Sequence, residues 1–308
     1  MKSINIANGP QNVSAIVQGC MRMPALTVDA AAKVIRTAYD CGVNFFDHAT
    51  CYGNGEAETR FAEAFPKTGI KREDIFLQSK CGLCFERNEF DWTKENILTS
   101  VDGILQRLKT DYLDTLLLHR PDVLYDPEEV AEAFDILDKA GKVRFFGVSN
   151  LVPMQIELLK KYVKQPLVIN QVQLSIEQSQ LIDQALYMNN KTTDFSVNRD
   201  GNALDYCRLN DITIQAWSPL QKGMFGGTFI DDPEYPELNA ALSEIGEREG
   251  VSKAAVAIAW ILRHPAKMQA IIGTMNPAHI TDICAASDVE LSHHDWYALY
   301  LAAGKYLP

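Results

Sequence analysis

Eight times along this 308-residue chain a short apolar run gives way to a longer stretch of helical periodicity, and that alternation restricts the fold more than any single motif. The run "AIVQG" (15–19) precedes 28–41, where Ala31, Ile35 and Ala38 share one helical face. "NFFDHA" (44–49) precedes "GEAETRFAEAF" (55–65). "IFLQSK" (75–80) precedes 93–108, whose Ile97, Val101, Ile104, Leu105 and Leu108 form an i, i+4, i+7, i+8, i+11 stripe. "YLDTLLLHR" (112–120) pairs with 128–140, "VRFFGVSN" (143–150) with 153–162, and "LVINQVQ" (167–173), after a long irregular segment, with 202–210. "ITIQAWSP" (212–219) pairs with 237–249, and "MQAIIGT" (268–274) with 277–287. Thr27, Thr93 and Asn276 or Pro277 stand where helices begin.

Near-continuous apolar strands separated by helices imply a parallel sheet covered by helices. Eight such units in a chain of this length fit a closed (β/α)8 TIM barrel better than an open doubly wound sheet. No GxGxxG follows the first run, which further disfavours the open dinucleotide-binding sheet. The chain therefore reads as a single α/β barrel domain over 1–308, with 1–14 as a short hairpin closing the barrel base.

A net charge of −11 argues against a nucleic-acid partner, because phosphates repel an acidic surface. It argues equally against adhesion to anionic lipid. "MKSINIANGPQ" has no apolar core of signal-peptide type. The longest apolar stretch, 254–262, covers nine residues, whereas a spanning helix needs about 20. These features point to a cytoplasmic protein without a membrane partner. Seven scattered cysteines suit a reducing compartment. Cys81 and Cys84 form one CxxC, but without a second no four-cysteine zinc site is supported, and no metal is expected.

In such barrels the working face lies at the C-terminal ends of the strands. Three successive strand candidates end there in an ionisable residue: Phe45-Phe46 runs into Asp47, Ile75-Phe76-Leu77 reaches Lys80, and 116–118 runs into His119. Tyr52 follows the first of them on a glycine-rich turn. Singly, each has a plainer reading, with Asp47 as a turn or cap residue, His119 packed and Lys80 at the surface. Together they outline a proton donor. A phenol titrates near about 10, and a neighbouring ammonium lowers that value by favouring the phenolate. Asp47 would keep Lys80 charged and oriented. A neutral His119 would hydrogen-bond the substrate oxygen, and Tyr52 would give a proton to a carbonyl oxygen as a hydride reaches carbon.

With these residues in place, the sequence resembles the aldo-keto reductase family. "GVNFFDHATCYGNGEAE" is similar to the family's first signature, "QSKCG" to its lysine strand and "YLDTLLLHRPD" to its histidine strand. "SKCG", "LLLHRPD" and "FFGVSN" look closest to a bacterial YdhF-like branch, while His48 stands where many members carry threonine. The likeness runs over roughly 15–288. It implies an enzyme that reduces a small-molecule aldehyde or ketone with NADP(H) bound across the barrel mouth.

By the same resemblance, Ser149, Asn150 and Gln171 would hold the nicotinamide carboxamide and Trp217 would stack on its ring. Ser218, Pro219, Leu220, Lys222 and Gly223 would meet the pyrophosphate, with Gly19, Cys20, Met21 and Asp47 lining the cofactor. "IIGTMNPAHITDI" corresponds to the segment that grips the adenosine 2′-phosphate, through Gly273, Thr274 and His279, with Asp282 on the adenine side. It carries no lysine or arginine, and Ile283 replaces the usual asparagine. The resemblance therefore implies only a modest preference for NADP(H), with NAD(H) also admitted. Segments 83–92, 120–125 and 175–202 are candidates for shaping the substrate site, the last covering either cofactor or substrate. Two other readings stay open: a nucleotide sensor of this fold with little turnover, and a barrel aldolase with Lys80 as a Schiff-base lysine.

Overall fold

The computed structural model describes residues 1–187, 190, 193–224 and 226–308. A hairpin opens the chain, β1 (Ser3–Ile4) against β2 (Val13–Ser14), antiparallel. Next come β3 (Ile16–Gly19) and α1 (Val28–Asp40), β4 (Phe45–Asp47) and α2 (Glu56–Ala64). β5 (Phe76–Cys81) runs into a small hairpin, β6 (Leu83–Cys84) with β7 (Glu89–Phe90), before α3 (Lys94–Leu108). Then follow β8 (Leu113–Leu118), α4 (Pro127–Lys139), β9 (Val143–Ser149), α5 (Pro153–Lys160), β10 (Leu167–Gln173), α6 (Gln180–Leu186) and α7 (Ala203–Leu209). The chain finishes with β11 (Thr213–Trp217), α8 (Pro236–Glu249), α9 (Lys253–Leu262), β12 (Gln269–Ile272), α10 (Pro277–Cys284) and α11 (His293–Ala302).

Helix starts follow local chemistry. Thr27 and Thr93 accept from the amides of Ala30 and Asn96, satisfying N–H groups that the first turn leaves without intrahelical partners. Each amphipathic helix then lays one apolar face on the strands, as α3 does with Ile97, Val101, Ile104, Leu105 and Leu108.

The eight parallel strands β3, β4, β5, β8, β9, β10, β11 and β12 close in chain order, the last pairing with the first at Ile271↔Val17. Alternation along each strand divides the side chains between helix layer and barrel interior. Val17, Phe45, Leu117, Ile169 and Ile271 form an interior apolar cluster, joined by Ile6 and Val13 from the opening hairpin. At Gly147 a Cβ would lie 2.7 Å from Leu117 Cδ2 and 2.8 Å from the Ile169 carbonyl oxygen, so only glycine fits this close approach. Nearer the strand ends the interior turns polar, and the catalytic candidates lie there. Among the described residues, no helix is long and apolar enough to cross a membrane.

Candidate active site

Registers Asp47↔Gln78 and Lys80↔Leu117 set β4, β5 and β8 side by side, so their last inward-facing residues meet. Lys80 and Asp47 are buried. The Lys80 ammonium donates to Asp47 Oδ2 at 2.7 Å, to the His48 carbonyl at 2.7 Å and to Tyr52 Oη at 3.1 Å. Those three bonds use all three of its hydrogens. Because Tyr52 accepts from lysine, its own hydrogen is free for another acceptor. His119 stands edge-on to Tyr52, ring centroids 6.1 Å apart and planes at 85°. The structure thus brings together the three residues picked out at strand ends and Tyr52 from the turn after the first of them.

Burial alone would lower Lys80, but Asp47 and Tyr52 outweigh it and hold the ammonium above the ordinary lysine range. Tyr52 departs from the sequence expectation. Burial raises the phenol more than Lys80 lowers it, and the group is pushed up to about 12. Burial first, then the Lys80 and Arg120 charges, keep His119 well below the usual histidine range and therefore neutral. The Cys51 sulfur lies 3.5 Å from His119 Nδ1, and burial pushes this thiol up to about 11. If the protonated thiol donates to Nδ1, the imidazole hydrogen stands on Nε2. The sequence reading did not include Cys51, which looks like an ordinary turn residue.

Some of the residues matched to the cofactor lie on the strands and loops next to this centre, others further out. Gly19 ends β3 opposite Asp47, followed by buried Cys20 and exposed Met21. Ser149 Oγ donates to the Gln171 carbonyl at 2.8 Å and accepts from Asn150 Nδ2 at 2.8 Å. Trp217 Nε1 donates to Asn150 Oδ1 at 3.0 Å, fixing the indole at the mouth. The Arg120 guanidinium lies 5.6 Å from that ring's centroid. Beyond it, Ser218 takes a left-handed conformation at φ 52° and turns the chain through Pro219 and Leu220. Lys222 bonds Asp232 at 2.8 Å and Glu234 at 2.6 Å, and Gly223 follows it in the loop.

Thr274 Oγ1 accepts from the Asn276 amide, and Asn276 caps α10 ahead of exposed His279. The sequence found no arginine at this turn. Barrel closure supplies one, since Arg22 donates to the Gly273 carbonyl at 3.0 Å across 251 positions of chain. Asp282 is exposed and lines a groove of about 670 Å³ with Glu247 and Lys253, away from the four central residues. Of segment 175–202, Met188, Asn189, Lys191 and Thr192 lie outside the described residues. Elsewhere in it, Tyr187 packs on Phe195 and Tyr306, tying the segment to the C-terminal residues. Cys81 and Cys84 are free thiols, and no cluster able to hold a metal occurs among the described residues.

The family model described as "Aldo/keto reductase family" matches residues 15–300. The chain belongs to the aldo/keto reductase family. It is 34% identical over 305 residues to a 6-dehydroglucose reductase of Agrobacterium fabrum, covering 95% of each chain. It is 31% identical to oxidoreductase YdhF of Escherichia coli, covering 99% of each. The solved structure of the thermostable aldo-keto reductase Tm1743 superposes with a TM-score of 0.78 at 24% identity, over 98% of this chain and 100% of that one, a likeness of fold. This aldo/keto reductase is therefore an oxidoreductase of a family that acts on small carbonyl compounds with nicotinamide cofactors.

Proposed function

We propose that this chain reduces an aldehyde or ketone to the alcohol with NADPH, Tyr52 supplying the proton. The observation that supports this most directly is the Lys80 ammonium 3.1 Å from Tyr52 Oη, with Asp47 behind it at 2.7 Å. The hydrogen of Tyr52 is directed elsewhere, and the phenolate left after its transfer stays beside a fixed positive charge. A phenol at about 12 is still a stronger acid than an alcohol, so transfer to a developing alkoxide runs downhill. Neutral His119, hydrogen on Nε2, donates to the same oxygen and helps orient it.

The donor set fits a nicotinamide nucleotide. A half-buried Trp217 held by the Asn150 amide suits a planar aromatic carboxamide. The left-handed Ser218 turn and the capped start of α10 present backbone N–H groups suited to phosphate. When bound, the nicotinamide supplies the hydride.

NADPH absorbance followed with a panel of aldehydes, ketones and diketones tests this reading. Likeness to 6-dehydroglucose reductases adds sugar aldehydes to the panel. Failure to reduce any of them would overturn it. NADPH should bind more tightly than NADH by a modest factor, with Arg22 at the Gly273 carbonyl and His279 in the first turn of α10 as the side chains to test. Dissociation constants for both cofactors with wild type, Arg22→Ala and His279→Ala check this. A preference untouched by either variant would remove these side chains as its source.

A further inference from the structure

Inside the barrel, four buried glutamine side chains from four strands form one directed path of hydrogen bonds. Gln269 Nε2 donates to the Ser14 carbonyl at 2.8 Å, and Gln215 Nε2 donates to Gln269 Oε1 at 2.9 Å. Gln215 Oε1 accepts from Gln78 Nε2 at 2.8 Å and from Gln171 Nε2 at 3.0 Å. Those same two nitrogens also donate to Asp47 Oδ1, at 2.7 and 3.1 Å respectively.

Amide orientation is normally open to a flip, but here a backbone carbonyl removes the choice. Ser14 can only accept, so Gln269 must turn its NH₂ toward Ser14 and its oxygen toward Gln215. Gln215 must then turn its NH₂ toward Gln269 and its oxygen toward Gln78 and Gln171. Each of those NH₂ groups has two hydrogens, one for Gln215 and one for Asp47. The reverse orientation would set amide oxygens against a buried carboxylate, which is costly where water cannot compensate.

We infer that Gln215 is a positioning residue: its carbonyl oxygen holds the Gln78 and Gln171 amides with their N–H groups on Asp47, and through Asp47 it fixes the line from Lys80 to Tyr52. This inference rests on the reading of Tyr52 as proton donor. Asp47 Oδ1 is clamped by the two amides while Oδ2 holds Lys80, so releasing the amides frees the carboxylate to rotate and carry the ammonium off Tyr52 Oη. Gln215 touches neither Tyr52 nor its proton.

Gln215→Leu and Gln215→Met remove the acceptor at similar volume. Side-chain amide NMR should find the Gln78 and Gln171 hydrogens protected from solvent exchange in wild type and exchanging at least about tenfold faster in both variants. Single-turnover carbonyl reduction should slow about tenfold with Asp47 present, but less than about twofold in an Asp47→Asn background, where no carboxylate remains to be aimed. Equal losses in the two backgrounds, an unchanged rate, or unchanged amide signals would overturn the inference. Failure of both variants to fold would also overturn it, by making Gln215 structural. If wild type reduces no carbonyl, the functional reading fails, while the amide signals still decide the clamp.

Discussion

Tyr52 can act as an acid only if its proton is present and its conjugate base is tolerated, and different neighbours meet the two needs. Burial holds the proton on by raising the phenol to about 12, while Lys80, kept charged by Asp47, waits for the phenolate. Tyr52→Phe should therefore lower turnover by about 10²–10⁴-fold and leave NADPH affinity nearly unchanged. Wild-type turnover should vary little from about pH 6 to about pH 9, because neither Tyr52 nor neutral His119 changes charge there. Wild-type turnover in the Phe variant would rule Tyr52 out. Cys51 Sγ stands 3.5 Å from Nδ1 of the partner group, His119. Cys51→Ala should cost about three- to fivefold, the worth of a weak hydrogen bond, and Cys51→Ser should recover most of it. Ring ¹⁵N shifts of His119 report the tautomer directly, and an unchanged tautomer in Cys51→Ala would deny the thiol its role.

Strands β4 and β5 each contribute half of a buried ion pair, so the site is also part of the wall. Lys80→Met leaves the Asp47 carboxylate buried without its cation, a loss typically of about 3–5 kcal/mol. Activity and melting temperature should fall together, whereas Tyr52→Phe should barely change stability; equal melting temperatures for wild type and Lys80→Met would contradict the buried pair. The same elements explain what the sequence disclosed. Asp47, Lys80 and His119 stood out because each is an ionisable residue at the downstream end of a strand candidate, Lys80 past Gln78 and Ser79. Helices α1, α3 and α4 carry one apolar stripe each and read clearly. Helix α9 does not: Ala255 to Ile261 are all buried, so its pattern has no polar face and no period. Helix α11 is hidden for a related reason, since Trp296 stacks on Trp260 at 4.7 Å instead of adding to a regular stripe. Gln78, Gln215 and Gln269 gave no signal, because a lone glutamine in a strand looks like an outward-facing residue, and Gln171 was named only for the cofactor, by resemblance. Arg22 and Gly273 meet only once the barrel has closed.

At the scale of the whole molecule, closure also buries histidines, and that fixes how stability depends on pH. His48 is fully buried, its ring 4.9 Å from Phe61 at 82°, with no partner for either ring nitrogen among the described residues. Burial, aided by the Lys80 charge, pushes it down to about 3. Burial likewise takes His264 down to about 4 and keeps His119 well below its ordinary value. Once unfolded, all three would titrate near about 6.5. Between their folded values and 6.5 the unfolded chain binds protons that the native chain refuses, so stability rises with pH across that window and is lost as pH falls through it. Each histidine contributes at most about 1.36 kcal/mol per pH unit, and His264, being less enclosed, less than His48. The excess of eleven acidic charges works in the opposite direction, because partial neutralisation relieves self-repulsion on acidification. Ion-paired carboxylates such as Asp135, held down to about 2 by Lys164 and Gln165, matter only at lower pH. Denaturant midpoints taken from about pH 7 to about pH 4.5 should therefore fall steadily despite the falling net charge. His48→Thr should lower stability at pH 7, where the lost ring packing is felt, and should also flatten the slope by up to one proton. A slope identical to wild type would mean that His48 takes up its proton in the folded barrel, and that its burial is not what makes the protein acid-labile.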